Sequence, residues 1–159
     1  MSGQEHQASD SEVMALLSQA KGLARRYKEL TGKPLGITGE VAEYEAARLL
    51  GLELHSARQA GYDATEIRDG SPRRIQIKGR QVTSGNRRAG RMGAIDLRQE
   101  FDSVLLVLLD DDFNAYEMRE ASRGDVEAAL ARPGSKARNE RGSLAIAQFK
   151  AISILRWRR

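Results

Sequence analysis

From Ser9 to about Leu30 the chain places apolar side chains at Val13, Leu16, Leu17, Ala20, Leu23, Ala24 and Tyr27. That three-and-four spacing predicts an amphipathic helix. Thr31-Gly32-Lys33-Pro34 ends it, because glycine suits a C-cap and proline cannot continue a helix. A second helix fits Gly39 to Leu50, with Thr38 as N-cap, Gly51 as terminator and an apolar face of Ala42, Ala46, Leu49 and Leu50. The period then changes. Tyr62 to Arg68 and Arg73 to Arg80 flank Asp69-Gly70-Ser71-Pro72, and strand-like runs around Asp-Gly predict a hairpin. Val82 to Gly93 has no period and reads as a loop. Ser103 to Leu109 is short and almost unbroken in its apolar character, as expected of a strand buried on both faces. Asp110 to Asn114 turns the chain, Ala115 to Arg119 returns as a neighbouring strand, and Ser122 to Ala131 carries Val126, Ala129 and Leu130 at helical spacing. Pro133 to Gly142 is a polar loop, and Ser143 to Arg159 fits either a short helix or an edge strand. The order predicts an α/β sandwich around a mixed sheet, one domain over residues 9–159 behind a frayed polar segment at 1–8.

Composition narrows the function. With 159 residues the chain has room for one domain with a real core, and 40% hydrophobic with 30% charged residues excludes wholesale disorder. The absence of cysteine excludes disulfides, thiolate metal sites and cysteine catalysis. The longest apolar run, Val104 to Leu109, falls far short of the roughly 20 residues that span a bilayer. The opening MSGQEHQASD carries no signal-peptide pattern, so the expectation is a cytoplasmic protein without a membrane span. Charge is informative by placement. From Ser71 to Ile95 the chain carries Arg73, Arg74, Lys78, Arg80, Arg87, Arg88 and Arg91 without an acid, and the next stretch is acidic. Such a division predicts a basic face for a polyanion, with a solvated loop as the plain alternative.

The hairpin holds the residues for chemistry. Gly61-Tyr62-Asp63 opens its first strand, and Ile75-Gln76-Ile77-Lys78 lies on its second. Because strand side chains alternate, Gln76 and Lys78 share one face, with Asp63 beside them on the adjacent strand. A carboxylate, a neutral oxygen and an ammonium at one place suit a hard divalent cation. Asp63 and the Gln76 amide oxygen would be ligands, the Ile77 carbonyl would be in reach, and Lys78 would orient or activate a water for attack on phosphorus.

An acid on a helix, then G-Y-D, then a strand with Q-x-K resembles the PD-(D/E)XK nuclease superfamily, which has the restriction-endonuclease-like fold. The resemblance runs from about Gly36 to Leu109 and is closest to the Q-x-K branch of Mrr-type restriction endonucleases; Holliday-junction resolvases are more distant. Tyr62 stands where the common pattern has proline, and Gln76 stands where it has an acid, which removes a negative charge from the metal site. The resemblance implies a Mg²⁺- or Mn²⁺-dependent endonuclease acting on DNA, with Glu43, Asp63, Gln76 and Lys78 as its catalytic set. Glu43 is chosen as the helix acid because it lies at the edge of the apolar stripe, whereas Glu40 points away and complements the helix dipole; Glu40 stands second. Arg80, Arg87, Arg88 and Arg91 would then track phosphates, giving affinity and salt dependence without sequence information.

Plainer roles fit other residues. Asp69 reads as a turn residue, Asp110-Asp111-Asp112 as a hairpin tip, His55 as a lone histidine, and Asp63 with Lys78 could be a hairpin ion pair. Two rival functions remain: a nuclease-fold protein without catalysis that binds nucleic acid or a partner protein, and a protein-interaction module with an incidental basic loop. Cleaving two strands needs two sites, which a homodimer would supply, although no interface is legible in the sequence.

Overall fold

Ser9 opens the first helix with a capping box: its hydroxyl accepts from the Glu12 backbone N–H, and the Glu12 carboxylate accepts from the Ser9 backbone N–H. The helix, α1, runs from Asp10 to Thr31 and closes on Gly32 at φ 70°, whose N–H reaches the Lys28 carbonyl. The computed structural model describes residues 9–55, 61–83 and 90–159, so the segment 1–8 lies outside it. Two compact units divide the chain at Ile37 and Thr38. The first contains α1; the second contains everything that follows. No described helix is long and apolar enough to cross a membrane.

The second unit begins with α2 (Thr38–Leu50), β1 (Glu53–Leu54), β2 (Ala64–Arg68), β3 (Ser71–Gln81), β4 (Ser103–Leu109) and β5 (Ala115–Ser122). It ends with α3 (Arg123–Ala131), α4 (Lys136–Asn139), α5 (Ile146–Ile152) and β6 (Ile154–Arg158). The six strands lie in sequence order in one sheet. Neighbours are antiparallel except β3 and β4, which run parallel in the register Ile75↔Ser103 to Gln81↔Leu109. This is the mixed, helix-flanked α/β sheet expected of a restriction-endonuclease-like fold.

Every residue of β4 is buried, as its composition predicts. Alternation sends Val104, Leu106 and Leu108 to one face, where Val126 and Leu130 of α3, Ile146 and Phe149 of α5, and Met92, Ile95 and Phe101 complete a core. The other face meets α2 at a point of close approach. A Cβ built on Gly79 would lie 2.5 Å from the Ala42 Cβ and 3.0 Å from the Thr38 carbonyl oxygen, so only glycine fits there.

The hairpin turn is Asp69-Gly70, with φ 50° and 78°, the doubly positive pair of a tight two-residue turn. Ser71 and Pro72 belong to β3, not to the turn. Pro72 is tolerated because it pairs with Ile67 before β4 joins at Ile75, so its missing N–H leaves no ladder bond unmade. Further departures from the sequence reading are small. A single-turn α4 interrupts the polar 133–142 segment, β1 had no sequence signal, and the ambiguous tail is a helix followed by a strand. On α2, Val41 and Glu45 are buried with Ala42 and Ala46, whereas Leu49 and Leu50 are only half-buried.

Candidate metal and phosphate site

Because β2 begins at Ala64, opposite Ile75, the edge of β3 beyond that point has no strand partner among the described residues. Asp63 takes the place of one. Its backbone N–H donates to the Ile75 carbonyl at 2.9 Å, and its carboxylate Oδ2 accepts from the Ile77 N–H at 2.6 Å. The carboxylate is thereby fixed against β3 with Oδ1 left over. A residue's N–H and C=O leave a strand on the same edge, so the Ile77 carbonyl points toward Asp63 as well.

Gln76 stands on the same strand, half-buried. Its amide nitrogen faces the Gly61 carbonyl at 3.4 Å, a group that can only accept, so the amide oxygen turns the other way. That oxygen, Oε1, is buried and has no hydrogen-bond partner. A buried polar atom left unpaired is costly unless something else meets it.

Lys78 and Glu43 complete the group. Burial lowers the proton affinity of the Lys78 amine, and the charge of Asp63 opposes that shift. The Glu43 carboxyl is pushed up to about 7, first by burial and then by the charges of Asp63 and Glu40. Glu43 is half-buried and Glu40 exposed. Glu43, Asp63 and Lys78 therefore share one electrostatic environment, and Glu40 acts on it from outside. Glu45, a third acid on α2, is only 4% exposed and pairs with Arg48 at 3.1 Å.

The donors are two carboxylates, one amide oxygen and one backbone carbonyl, all hard oxygens of the kind Mg²⁺ or Mn²⁺ takes. Among the described residues, no three His, Cys, Asp or Glu side chains gather in a way that could hold a metal. The set fits a cation only if Gln76 contributes, and its orphaned oxygen is free to do so.

The basic stretch is divided by the fold. Arg80 is exposed. Arg87 and Arg88 lie outside the described residues. Arg91 turns inward: its guanidinium donates to the Ser143 carbonyl, and its Nε is buried without a partner. Arg74 is held by both oxygens of Asp102, at 3.0 and 3.1 Å, and by Glu100 at 3.1 Å. The acidic stretch folds back in this way on the basic one, a pairing no local charge count reveals.

Asp69 lies in the hairpin turn, and Asp110 opens the turn between β4 and β5. His55 places Nε2 2.9 Å from the Thr65 hydroxyl and sets its ring edge-on to Tyr62. Asp110 accepts from the Asp112 and Asn114 backbones and pairs with Arg159. In the tail, Arg156 bridges Glu66 and Glu120, and Arg158 meets Glu117. No family model matches the chain, and no curated protein matches it.

Proposed function

We propose that the chain is a metal-dependent phosphodiesterase of PD-(D/E)XK type that hydrolyses DNA. The observation that carries this reading is the buried, unbonded Gln76 oxygen, on the strand whose next amide fixes the Asp63 carboxylate. Asp63, Gln76 Oε1, the Ile77 carbonyl and ionised Glu43 would hold Mg²⁺ or Mn²⁺. When bound, such a cation neutralises charge developing on the scissile phosphate. Asp63 enters with its geometry already set, because Ile77 holds one of its oxygens. Lys78 donates to the attacking water and orients it toward phosphorus. Arg80, with Arg87 and Arg88 of the adjoining segment, would bind flanking phosphates with an affinity that falls as salt rises. Arg91 braces the end of that segment on Ser143.

The neutral Gln76 supports a second reading, a nuclease fold that binds nucleic acid or a partner protein without catalysis. A site with two carboxylates binds cations more weakly than one with three. One assay separates the two readings: purified protein with labelled duplex and branched DNA, in Mg²⁺ or Mn²⁺ and in EDTA, beside Lys78→Ala. Cleavage that requires the cation and falls about a hundredfold or more in the variant is the expected result. Salt-sensitive binding without cleavage, unchanged by Lys78→Ala, would favour the second reading. Neither cleavage nor binding would remove DNA as the substrate.

A further inference from the structure

The apolar residues of α1 follow a stricter order than amphipathicity requires. Val13, Leu16, Ala20, Leu23, Tyr27 and Leu30 alternate steps of three and four residues. This averages about 3.5, the repeat that keeps one seam of a helix facing a second helix. Leucine recurs at every seventh position, and Leu16, Leu23 and Leu30 are 63%, 64% and 77% exposed, with Tyr27 at 40%. A line of large apolar side chains left to water marks an interaction surface more often than chance. The helix caps bracket the seam closely: Ser9 before Val13 and Gly32 after Leu30.

Charge selects the occupant and its direction. The first turn is acidic, with Asp10 and Glu12, and the last two turns are basic on balance, with Arg25, Arg26 and Lys28 against Glu29. Along one flank of the seam, Glu12, Gln19 and Arg26 each precede a core residue. In a parallel pair that flank would face Leu17, Ala24 and Thr31 of the second helix and gain nothing, and the acidic ends would meet. In an antiparallel pair, one register uses all six core positions: Val13 against Leu30, Leu16 against Tyr27, and Ala20 against Leu23 of the second copy. The same register sets Gln19 beside Arg26 of the second copy on each side of the two-fold axis, and it lays the acidic first turn of each helix along the basic C-terminal end of the other. The helix dipoles then also oppose. The cap bonds from Ser9 hold the Glu12 carboxyl below its ordinary range, so its charge is secure.

We propose that α1 is a self-association element, pairing antiparallel with α1 of a second copy through the seam from Val13 to Leu30. The proposal is independent of the nuclease reading.

The test begins with the mass of the full chain in solution, from about 1 to about 200 µM, since self-association depends on concentration. A rise from 17.6 kDa toward twice that value is expected. Leu23→Glu should weaken association by about a hundredfold, about 2.7 kcal/mol, with the circular-dichroism spectrum retained. Leu30→Glu, in the last turn, serves if Leu23→Glu does not fold. Direction is read by cross-linking, which is clean because the chain has no cysteine. Val13→Cys and Leu30→Cys chains, mixed and oxidised, should give the mixed disulfide in preference to either symmetric one. A chain that stays at 17.6 kDa throughout would overturn the proposal and leave the seam to be covered within the monomer. So would a dimer indifferent to Leu23→Glu, or a predominant Val13–Val13 cross-link.

Discussion

Glu43 carries the largest electrostatic conflict in the site. It sits half-buried near Asp63 and Glu40, and its carboxyl is raised to about 7 from an ordinary 4.5. The folded protein therefore binds more protons than the unfolded chain between those values. The stabilisation from a protonated Glu43 is complete below about pH 4.5 and is lost as pH rises through about 7. Glu43→Gln keeps the shape and removes the conflict. In EDTA at pH 8 it should be more stable than the parent by about 1–2 kcal/mol, after discounting for the water that reaches a half-buried group. At pH 5 the two should melt together, and calorimetry at both pH values checks this. In the site, strand alternation alone put Gln76 and Lys78 on one face, and the helical angle alone favoured Glu43 over Glu40. Local period could not show that Asp63 bonds the Ile77 amide or that the Gln76 oxygen is left unpaired. Nor could it show that Arg91 turns to Ser143, a partner 52 residues away.

Among the elements, the contact of α2 with β3 governs the site's geometry. Glu43 follows directly on Ala42, whose Cβ would lie 2.5 Å from any Cβ at position 79. Gly79→Ala must therefore push the helix outward and carry Glu43 with it. The expected cost is about 2 kcal/mol, or a melting point lower by ~5–10 °C, together with weaker cation binding. Because the closest clash is with the Ala42 methyl, while the Thr38 carbonyl oxygen at 3.0 Å stays in place, Gly79→Ala should cost less in the Ala42→Gly background than in the parent. Denaturant unfolding of the three variants would show that non-additivity. Elements with a strong local signal were legible in the sequence: α1 by its period and cap, the hairpin by Asp-Gly, β4 by its apolar run. The tail was not, because Phe149 and Ile146 on α5 and the short β6 draw their identity from the sheet and from α3, not from their own pattern.

At the scale of the whole second unit, the sheet is tied across its width by buried charge. Glu120 on β5 is 4% exposed and meets Arg68 of β2, Arg156 of β6 and the Ser103 hydroxyl. Burial works against its charged form, but these partners hold its carboxyl below the ordinary 4.5, and Glu117 is lowered by Arg119 and Lys150 in the same way. Their stabilisation is present above about pH 4.5 and is lost as pH falls through the lowered folded values, opposite in sign to Glu43. Stability of the cation-free protein should therefore peak between these limits, in mildly acidic solution. Arg156→Ala leaves Glu120 to Arg68 and the Ser103 hydroxyl and should cost about 2–3 kcal/mol, read from urea unfolding at pH 7, with acid unfolding starting at higher pH than in the parent. When the sheet opens, what it releases first matters. Ser103 to Leu109 is seven consecutive buried residues of strong strand preference without a charge or a proline. Folded, that segment is shielded by a strand on each side and a helix layer on each face. Unfolded, it is an adhesive tape, so heating past the transition should end in fibrils or precipitate instead of a reversible melt, and the chain's shelf life in concentrated solution is set by how rarely β4 comes into view.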